Sequence, residues 1–398
     1  MTHAADCRVP EISLTRDAAS QLLGLGACTF GIACTFYLTL SSGPAHLATL
    51  GGESAAGAAT TVSTFATVAS SLIAPKLIAR WGRRVVFAIA AIALGFPCLA
   101  LFGNSLAIAE MAAAIRGLGL GFAFIATGGL AARLAPSARR GEILGLYGLA
   151  FSTPAIFAVP IGLWLLDRLG PTELALVATV SALLPLLGLG VFPGRETMAH
   201  RSWPWQLRRT PMGWSIVVQT GGAAAVGMLI TVFATAASAQ ATTGTVAVAM
   251  ALHGLAAALA KWCAGRIGDR HGQRKLIAAG SVLSLTATLL LATSGGAPMI
   301  AVSAALLGVA FGVQQSATLN LMLTRASRPE TDMVNAAWNI AYDAGLGLGA
   351  LAYGALAPAL GGETAIIAIA VVIALTAAAS FKILERGREE RAARPMRP

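Results

Sequence analysis

Twelve long apolar runs, separated by short polar segments, dominate this chain of 398 residues. Each run is long enough to cross the hydrocarbon core of a bilayer as a helix, which needs about 20 residues. Charged residues make up 11% of the chain, whereas a soluble domain carries roughly 25%. The pattern therefore predicts an all-α membrane protein with twelve transmembrane helices.

The predicted helices alternate in direction, so both chain ends fall on one side of the membrane. Their ranges are 20–40, 55–78, 85–102, 106–130, 144–166, 173–192, 212–237, 244–263, 276–293, 297–323, 334–356 and 364–381.

Basic residues occupy alternate connections. They follow every even-numbered helix, whereas Arg168 is the one basic residue on the opposite connections. Because Lys and Arg collect in cytoplasmic loops, we expect these loops and both termini to be cytoplasmic and the chain to lie in the cell inner membrane. The net charge of +11 is then a signal of topology, and no nucleic-acid partner is indicated.

The longest polar connection holds Pro193, Pro204 and Pro211 beside four arginines, and it divides the chain into two halves. We predict a six-helix bundle over 1–192, a cytoplasmic linker over 193–211, a second six-helix bundle over 212–384 and a cytoplasmic tail over 385–398. The tail is dense in charge and poor in large apolar residues, which predicts disorder.

Neither a disulfide framework nor a metal or cofactor site is indicated, because the cysteines have no paired spacing. They are Cys7, Cys28, Cys34, Cys98 and Cys263. The mixed charges of the first 18 residues and the long run after them are not typical of a cleaved signal peptide. We expect the first helix to act as an uncleaved membrane signal.

An internal repeat relates the two halves. The second predicted helix ends in PKLIARWGRR over 75–84, and the eighth ends in GRIGDRHGQR over 265–274, which places Gly82 and Gly272 190 positions apart. The fifth and eleventh helices end at Gly170 and Gly361, which are 191 positions apart. Two halves in the same order indicate a parallel duplication.

The repeated segment resembles the cytoplasmic signature of the major facilitator superfamily. In the second copy the matching residues are Gly265, Asp269, Arg270, Gly272 and Arg274, with Gln273 at a position that is usually basic. The first copy keeps Arg80, Gly82 and Arg83 but has Pro75 and Ala79 where the signature has glycine and aspartate.

This resemblance implies a gate between the halves, more intact in the second copy, in which the aspartate pairs with arginine or faces a helix N-terminus. The alternative is a merely basic loop. The fold implied is two pseudo-symmetric six-helix bundles. Members of this family are usually monomers, and we expect a monomer here.

Two further motifs resemble those of proton-driven members of the family. The run RGLGLG begins at Arg116 in the fourth helix, where the family has an arginine linked to proton handling. The run AVPIG over 158–162 approximates an exporter pattern but has Val159 in place of its glycine. The resemblance thus favours efflux without identifying a substrate.

Arg116 and Asp343 are the charged residues that fall near the midplane of predicted helices. A lone charge at this depth costs at least about 2.5 kcal/mol and is usually functional. A carboxylate in such a low-dielectric place suits uptake and release of a proton, so we predict that Asp343 and Arg116 couple proton movement to opening. The alternatives are a buried structural acid for Asp343 and a static pair of Arg116 with Glu110.

His253 is the one histidine well inside a predicted helix. Histidine titrates near neutral pH and suits a proton switch, but a single histidine among alanines also suits an interhelical hydrogen bond. Uncharged polar residues in the inner helices are candidates for the substrate cavity, or for interhelical hydrogen bonds of under about 1 kcal/mol. These candidates are Tyr37, Thr39, Gln219, Gln314, Gln315, Asn320, Asn335 and Asn339.

The function that these features favour is proton-coupled efflux of a small amphiphilic organic compound by alternating access. The sparse fixed charge argues against a polyanionic substrate, which would require several arginines. Proton-coupled uptake of a metabolite is the alternative with the same fold. A membrane sensor or scaffold is the alternative of another class, and an enzyme is not indicated because the sequence has neither a catalytic cluster nor a nucleotide loop.

Overall fold

The computed structural model describes residues 16–194, 211–238, 243–293, 296–327 and 330–392. Fourteen α-helices occur in these ranges. They are α1 (Arg16–Leu40), α2 (Ser42–Trp81), α3 (Arg83–Gly95), α4 (Pro97–Leu101), α5 (Leu106–Leu134), α6 (Arg140–Ser152), α7 (Ala155–Arg168), α8 (Pro171–Leu183), α9 (Pro211–Ser238), α10 (Thr243–His271), α11 (Gln273–Ala292), α12 (Ala297–Arg325), α13 (Thr331–Leu360) and α14 (Gly362–Ala392).

These helices supply twelve segments long and apolar enough to cross a membrane. The predicted all-α membrane fold is therefore confirmed. The third span is α3 followed by α4, and the fifth is α6 followed by α7. The two breaks fall at Pro97 and Pro154, because proline lacks the N–H that a continuous helix needs and its ring clashes with the preceding turn.

Two segments are more helical than the sequence predicted. The expected connection at 41–54 belongs to α2 from Ser42 onward, because Pro44 is tolerated in a first turn and the alanines that follow favour helix. The expected disordered tail is helical to Ala392, because good helix formers extend an existing helix without a new nucleation step. Residues 393–398 of that tail and 195–210 of the predicted linker lie outside the described residues.

Four glycines with positive φ form the tight turns between spans and reproduce the internal repeat. Gly82 and Gly272 have φ of 86° and 89°, and Gly170 and Gly361 have φ of 111° and 83°. Glycine adopts this conformation without steric cost. Each pair thus performs the same task in the two halves, as the sequence offset predicted.

The helices pack as two bundles, α1 to α8 and α9 to α14, that meet along a seam. At this seam α13 packs on α2 and α5, and α10 and α12 pack on α6. One end of the molecule carries the turns with Arg83, Arg139 and Arg270, and we call it the basic end.

The apolar core is distributed unevenly along the seam. Near the basic end a single cluster joins both halves and includes Leu130, Leu144, Met322 and Val334. Toward the opposite end each half has its own cluster, one around Leu101 and Leu174 and one around Leu229 and Ile369. The two halves are therefore packed together at the basic end.

Candidate functional site

A buried ion pair closes the seam at the basic end. Arg83 follows the turn at Gly82, and Asp332 is the second residue of α13. The Nη2 atom of Arg83 donates to Oδ1 and Oδ2 of Asp332, both at 2.8 Å. The Arg83 and Asp332 side chains are 0% and 1% exposed.

Further contacts fix this pair between three helices. Arg83 Nη1 donates to the carbonyl of Ala126 at 2.9 Å and to that of Ile125 at 3.2 Å, both in α5. Arg133 Nη2 donates to Asp332 Oδ2 at 3.1 Å. Such charge-assisted hydrogen bonds are short and directional, so they hold α13 of the second half against α3 and α5 of the first.

A second contact between the halves uses Asp269, at the pseudo-symmetric turn. Its Oδ1 and Oδ2 accept hydrogen bonds from the backbone N–H groups of Gly141 at 3.0 Å and Glu142 at 2.9 Å. These groups begin α6, and a helix N-terminus favours an adjacent negative charge. Asn320 Nδ2 also donates to Asp269 Oδ1, at 3.1 Å.

The other residues of the repeated motif divide between turn, packing and surface positions. A Cβ atom on Gly265 would collide with the backbone of Gly141, so this glycine permits the close approach of α10 and α6. Arg274 Nη1 donates to the carbonyl of Ile383 in α14 at 3.2 Å. Arg80 and Arg270 lie exposed at the basic end.

Asp332 is a residue that the sequence analysis missed. The first motif copy has Ala79 in place of aspartate, yet that copy also holds the seam, because Arg83 reaches a carboxylate on the other half. The sequence did hold one indication of it. Asp332 is the one acid in the first turn of α13, and it lies 190 positions after Glu142 at the start of α6, which is the offset of the internal repeat. The contact across the seam is thus built differently in the two halves.

A cavity of about 260 Å³ lies between the halves, above the closed basic end. The first half supplies most of its wall, from α1 to α6, and α13 supplies the rest. Tyr37 and Thr39, which the sequence predicted for the cavity, line it, as do Arg116 and Asp343. The structure thus brings together four of the candidate residues, from both halves.

Arg116 is held by uncharged partners. Its Nη1 donates to the carbonyl of Leu94 at 2.7 Å and to Cys98 Sγ, and its Nη2 donates to Thr39 Oγ1. Glu110 is half-buried on the same helix. Among the described residues no carboxylate forms an ion pair with Arg116, so the static pair with Glu110 is not present in this structure.

Asp343 faces the cavity from α13 with an unsatisfied oxygen. Its Oδ2 atom is buried and has no hydrogen-bond partner among the described side chains and backbone groups. The adjacent Tyr342 also lines the cavity and stacks on Trp338, with ring centroids 6.4 Å apart. A buried oxygen without a donor is costly, so this position suits a proton, a water molecule or a ligand donor.

His253 lies inside the second half rather than at the cavity wall. Its Nδ1 is 3.1 Å from the carbonyl oxygen of Ala304, and its ring stacks on Phe311 at 6.3 Å. This is the interhelical hydrogen bond that the sequence left open as the alternative to a proton switch.

Six of the predicted cavity residues lie outside the described wall of the cavity in this state, and four of them connect helices instead. Gln219 accepts from Thr318 at 3.1 Å, and Gln314 donates to Ser281 at 3.1 Å. Asn335 donates across the seam to the carbonyl of Phe124 at 3.2 Å. Gln315 is buried, Asn320 binds Asp269, and Asn339 donates to Asn335. Their contact with substrate stays a prediction.

Two bundles with twelve spans, a cavity between them that holds two charged side chains, and a seal at one end define a membrane transporter of the two-bundle class. The chain belongs to the Major Facilitator Superfamily, whose family model matches residues 25–233 and 212–398. No curated protein matches the chain.

Solved structures share the fold over nearly the whole chain. The Escherichia coli fucose:proton symporter is 15% identical with a TM-score of 0.77, covering 92% of this chain and 99% of that chain. A bacterial homologue of the iron transporter ferroportin, in an outward-facing state, is 14% identical with a TM-score of 0.74, covering 93% and 100%. The human organic anion transporter TETRAN is 13% identical with a TM-score of 0.70, covering 91% and 99%.

Proposed function

We propose that this chain exports a small amphiphilic organic compound in exchange for protons, by alternating access between its two halves. The observation that carries the proposal is Asp343, whose buried Oδ2 faces the cavity without a donor. A carboxylate in this position is stable when it holds a proton or binds a donor on the substrate. If Asp343 binds either a proton or the substrate but never both, the export of substrate is coupled to the entry of protons.

The orientation of the cycle follows from the basic end. We place this end in the cytoplasm, because positive residues favour that side, and we place both termini there and the protein in the inner membrane. The seal formed by Arg83, Asp332 and Asp269 then makes this an outward-facing state. The outward-facing ferroportin homologue, with its similar fold, supports the assignment.

In this cycle protons enter from outside and reach Asp343 in the open cavity. Arg116, the other charged residue of the cavity wall, holds a fixed positive charge opposite the carboxylate. Closing of the outer side and breaking of the two contacts at the basic end expose Asp343 to the cytoplasm, where substrate replaces the proton. The protein acts as a monomer in the bilayer. A role of Glu110 and His253 in proton coupling stays a prediction.

The test is accumulation of a panel of small amphiphilic compounds, with zwitterions of amino-acid size beside dyes and antibiotics, in cells that lack their main efflux pumps and express the protein. Export predicts lower accumulation of at least one compound, reversed by an uncoupler and lost in Asp343→Asn. Asp167→Asn is the matched control, because that carboxylate is 80% exposed at the other end of the molecule, and it should export normally.

Proton-coupled uptake is the second candidate, and the fold shared with a fucose:proton symporter supports it. Raised accumulation of a compound that depends on Asp343 would establish uptake instead of export. If no compound changes its distribution in either direction while the protein is present in the membrane, both transport proposals fail and the sensor or scaffold alternative gains.

A further inference from the structure

The two charged side chains of the cavity wall have opposite signs and come from opposite halves. Arg116 is in α5 of the first half, and Asp343 is in α13 of the second. We propose that the cavity takes a small zwitterion, whose carboxylate binds Arg116 and whose ammonium group binds Asp343. This inference rests on the proposed transport function and adds the chemical class of the substrate.

The Arg116 side provides the anion-binding pole. A guanidinium has five N–H donors, and the three hydrogen bonds of Arg116 go to a carbonyl, a thiol and a hydroxyl. These neutral partners orient the guanidinium without cancelling its charge. A buried cation needs a counter-charge, and a substrate carboxylate supplies one in the geometry that guanidinium binds best.

The Asp343 side provides the cation-binding pole. Its buried Oδ2 lacks a donor, and an ammonium group brings up to three. Aromatic rings of Phe124, Phe151 and Tyr342 also line the cavity. Ring faces attract cations, so they favour the same group and also pack against an apolar body.

The hydroxyl groups along α2 add acceptors to this wall. Thr60, Ser63, Thr64 and Thr67 line the cavity at the spacing of one helical face. The hydroxyl of Thr64 donates a hydrogen bond to the carbonyl of Thr60 at 2.9 Å, and that of Thr67 donates to the carbonyl of Gly117 at 3.0 Å. The hydroxyl oxygens of Thr64 and Thr67 can therefore accept hydrogen bonds from the N–H groups of a ligand.

Charge and size disfavour other classes of substrate. Arg116 would repel a substrate that carries only a positive charge, and Asp343 would repel one that carries only a negative charge. The cavity of about 260 Å³ is below the range of about 300–1,000 Å³ typical for drug-sized ligands. A molecule of amino-acid size fits these limits.

The test measures binding to the purified full chain in lipid nanodiscs by calorimetry, without any gradient. Two sets of probes hold the apolar body constant: phenylalanine, phenethylamine and 3-phenylpropanoate, then leucine, 3-methylbutylamine and 4-methylpentanoate. In at least one set the zwitterion should bind tenfold or more tightly than both of its singly charged analogues.

Two variants identify the poles. Arg116→Gln should remove the preference for the zwitterion over the amine, and Asp343→Asn should remove its preference over the carboxylate. Asp167→Asn, which changes an exposed carboxylate outside the cavity wall, should change neither ratio. Thermal unfolding of each variant checks that it remains folded.

The proposal is overturned if an amine or a carboxylate binds as tightly as its zwitterion, or if no probe binds to folded wild-type protein. Neither result bears on proton coupling, because the assay contains no proton gradient. Conversely, zwitterion binding together with uncoupler-insensitive accumulation would retain the substrate class and contradict the proposed exchange.

Discussion

Arg83 and Asp332 are 249 positions apart in the chain, yet Nη2 of Arg83 contacts both carboxylate oxygens of Asp332 at 2.8 Å. The pair connects the first turn of α3 to the first turn of α13 and is completely enclosed. Because it joins the two halves at the closed basic end, we expect its strength to set how readily that end opens.

Asp332→Asn should therefore favour opening at the basic end. Removing one partner of a buried ion pair leaves an uncompensated charge and costs about 3–5 kcal/mol. Here the closed state is the one that is destabilised. In a background without the native cysteines, Ala336→Cys lies buried in the closed seam, and its maleimide labelling should become at least tenfold faster with Asp332→Asn.

Asp167→Asn is the control for this measurement. It removes a carboxylate whose contact with Arg168 is 3.6 Å long and exposed, and exposed pairs contribute about 0–1 kcal/mol. Equal labelling rates in Asp332→Asn and the parent would show that the buried pair does not hold the seam.

Asp269→Ala should loosen the same seam from the other copy of the motif. The change deletes the acceptor for two backbone N–H groups at the start of α6 and a charge favoured there. We expect a loss of about 1–2 kcal/mol, as for other helix-capping residues, and faster labelling at Ala336→Cys than in the parent. If the double variant with Asp332→Asn is labelled faster than either single variant, both contacts oppose the same opening movement.

Gly265→Ala should prevent full closure because its new Cβ would overlap the backbone of Gly141, which has no side chain to rotate away. The matched control is Gly254→Ala in the same helix, where a Cβ meets nothing within 4 Å. The measurement is again labelling of Ala336→Cys. Gly265→Ala should raise its rate and Gly254→Ala should leave it unchanged, whereas equal rates would mean that α10 and α6 need not approach so closely.

The twelve spans and the repeat could be predicted because they depend on local properties, the length of apolar runs and the glycines at turns. The contact of Asp269 with a helix N-terminus was one of two alternatives that the motif resemblance implied, the other being a pair with an arginine. The partner of Arg83 could not be predicted, since the pairing depends on how α13 docks against α3 and α5. The motif itself pointed away from it, because Ala79 occupies the expected acidic position.

The polar residues of the inner helices show a second limit of sequence reasoning. Hydropathy places Asn335 and Tyr37 equally inside the membrane, but Asn335 bridges the seam and Tyr37 faces the cavity. The difference lies in helix rotation and in which end of the seam is closed, and neither is encoded in a single helix. The hydroxyl face of α2 was missed for the same reason.

We expect the two halves to rock about the cavity, with the contacts at the basic end holding one of the two states. Spin labels at 138 and 275 report the distance between the halves at the basic end, and labels at 104 and 363 report it at the opposite end, all at exposed positions. Double electron–electron resonance on Asp332→Asn with Asp269→Ala should show the first distance lengthening while the second shortens. An unchanged first distance, or both distances lengthening together, would contradict this rocking motion.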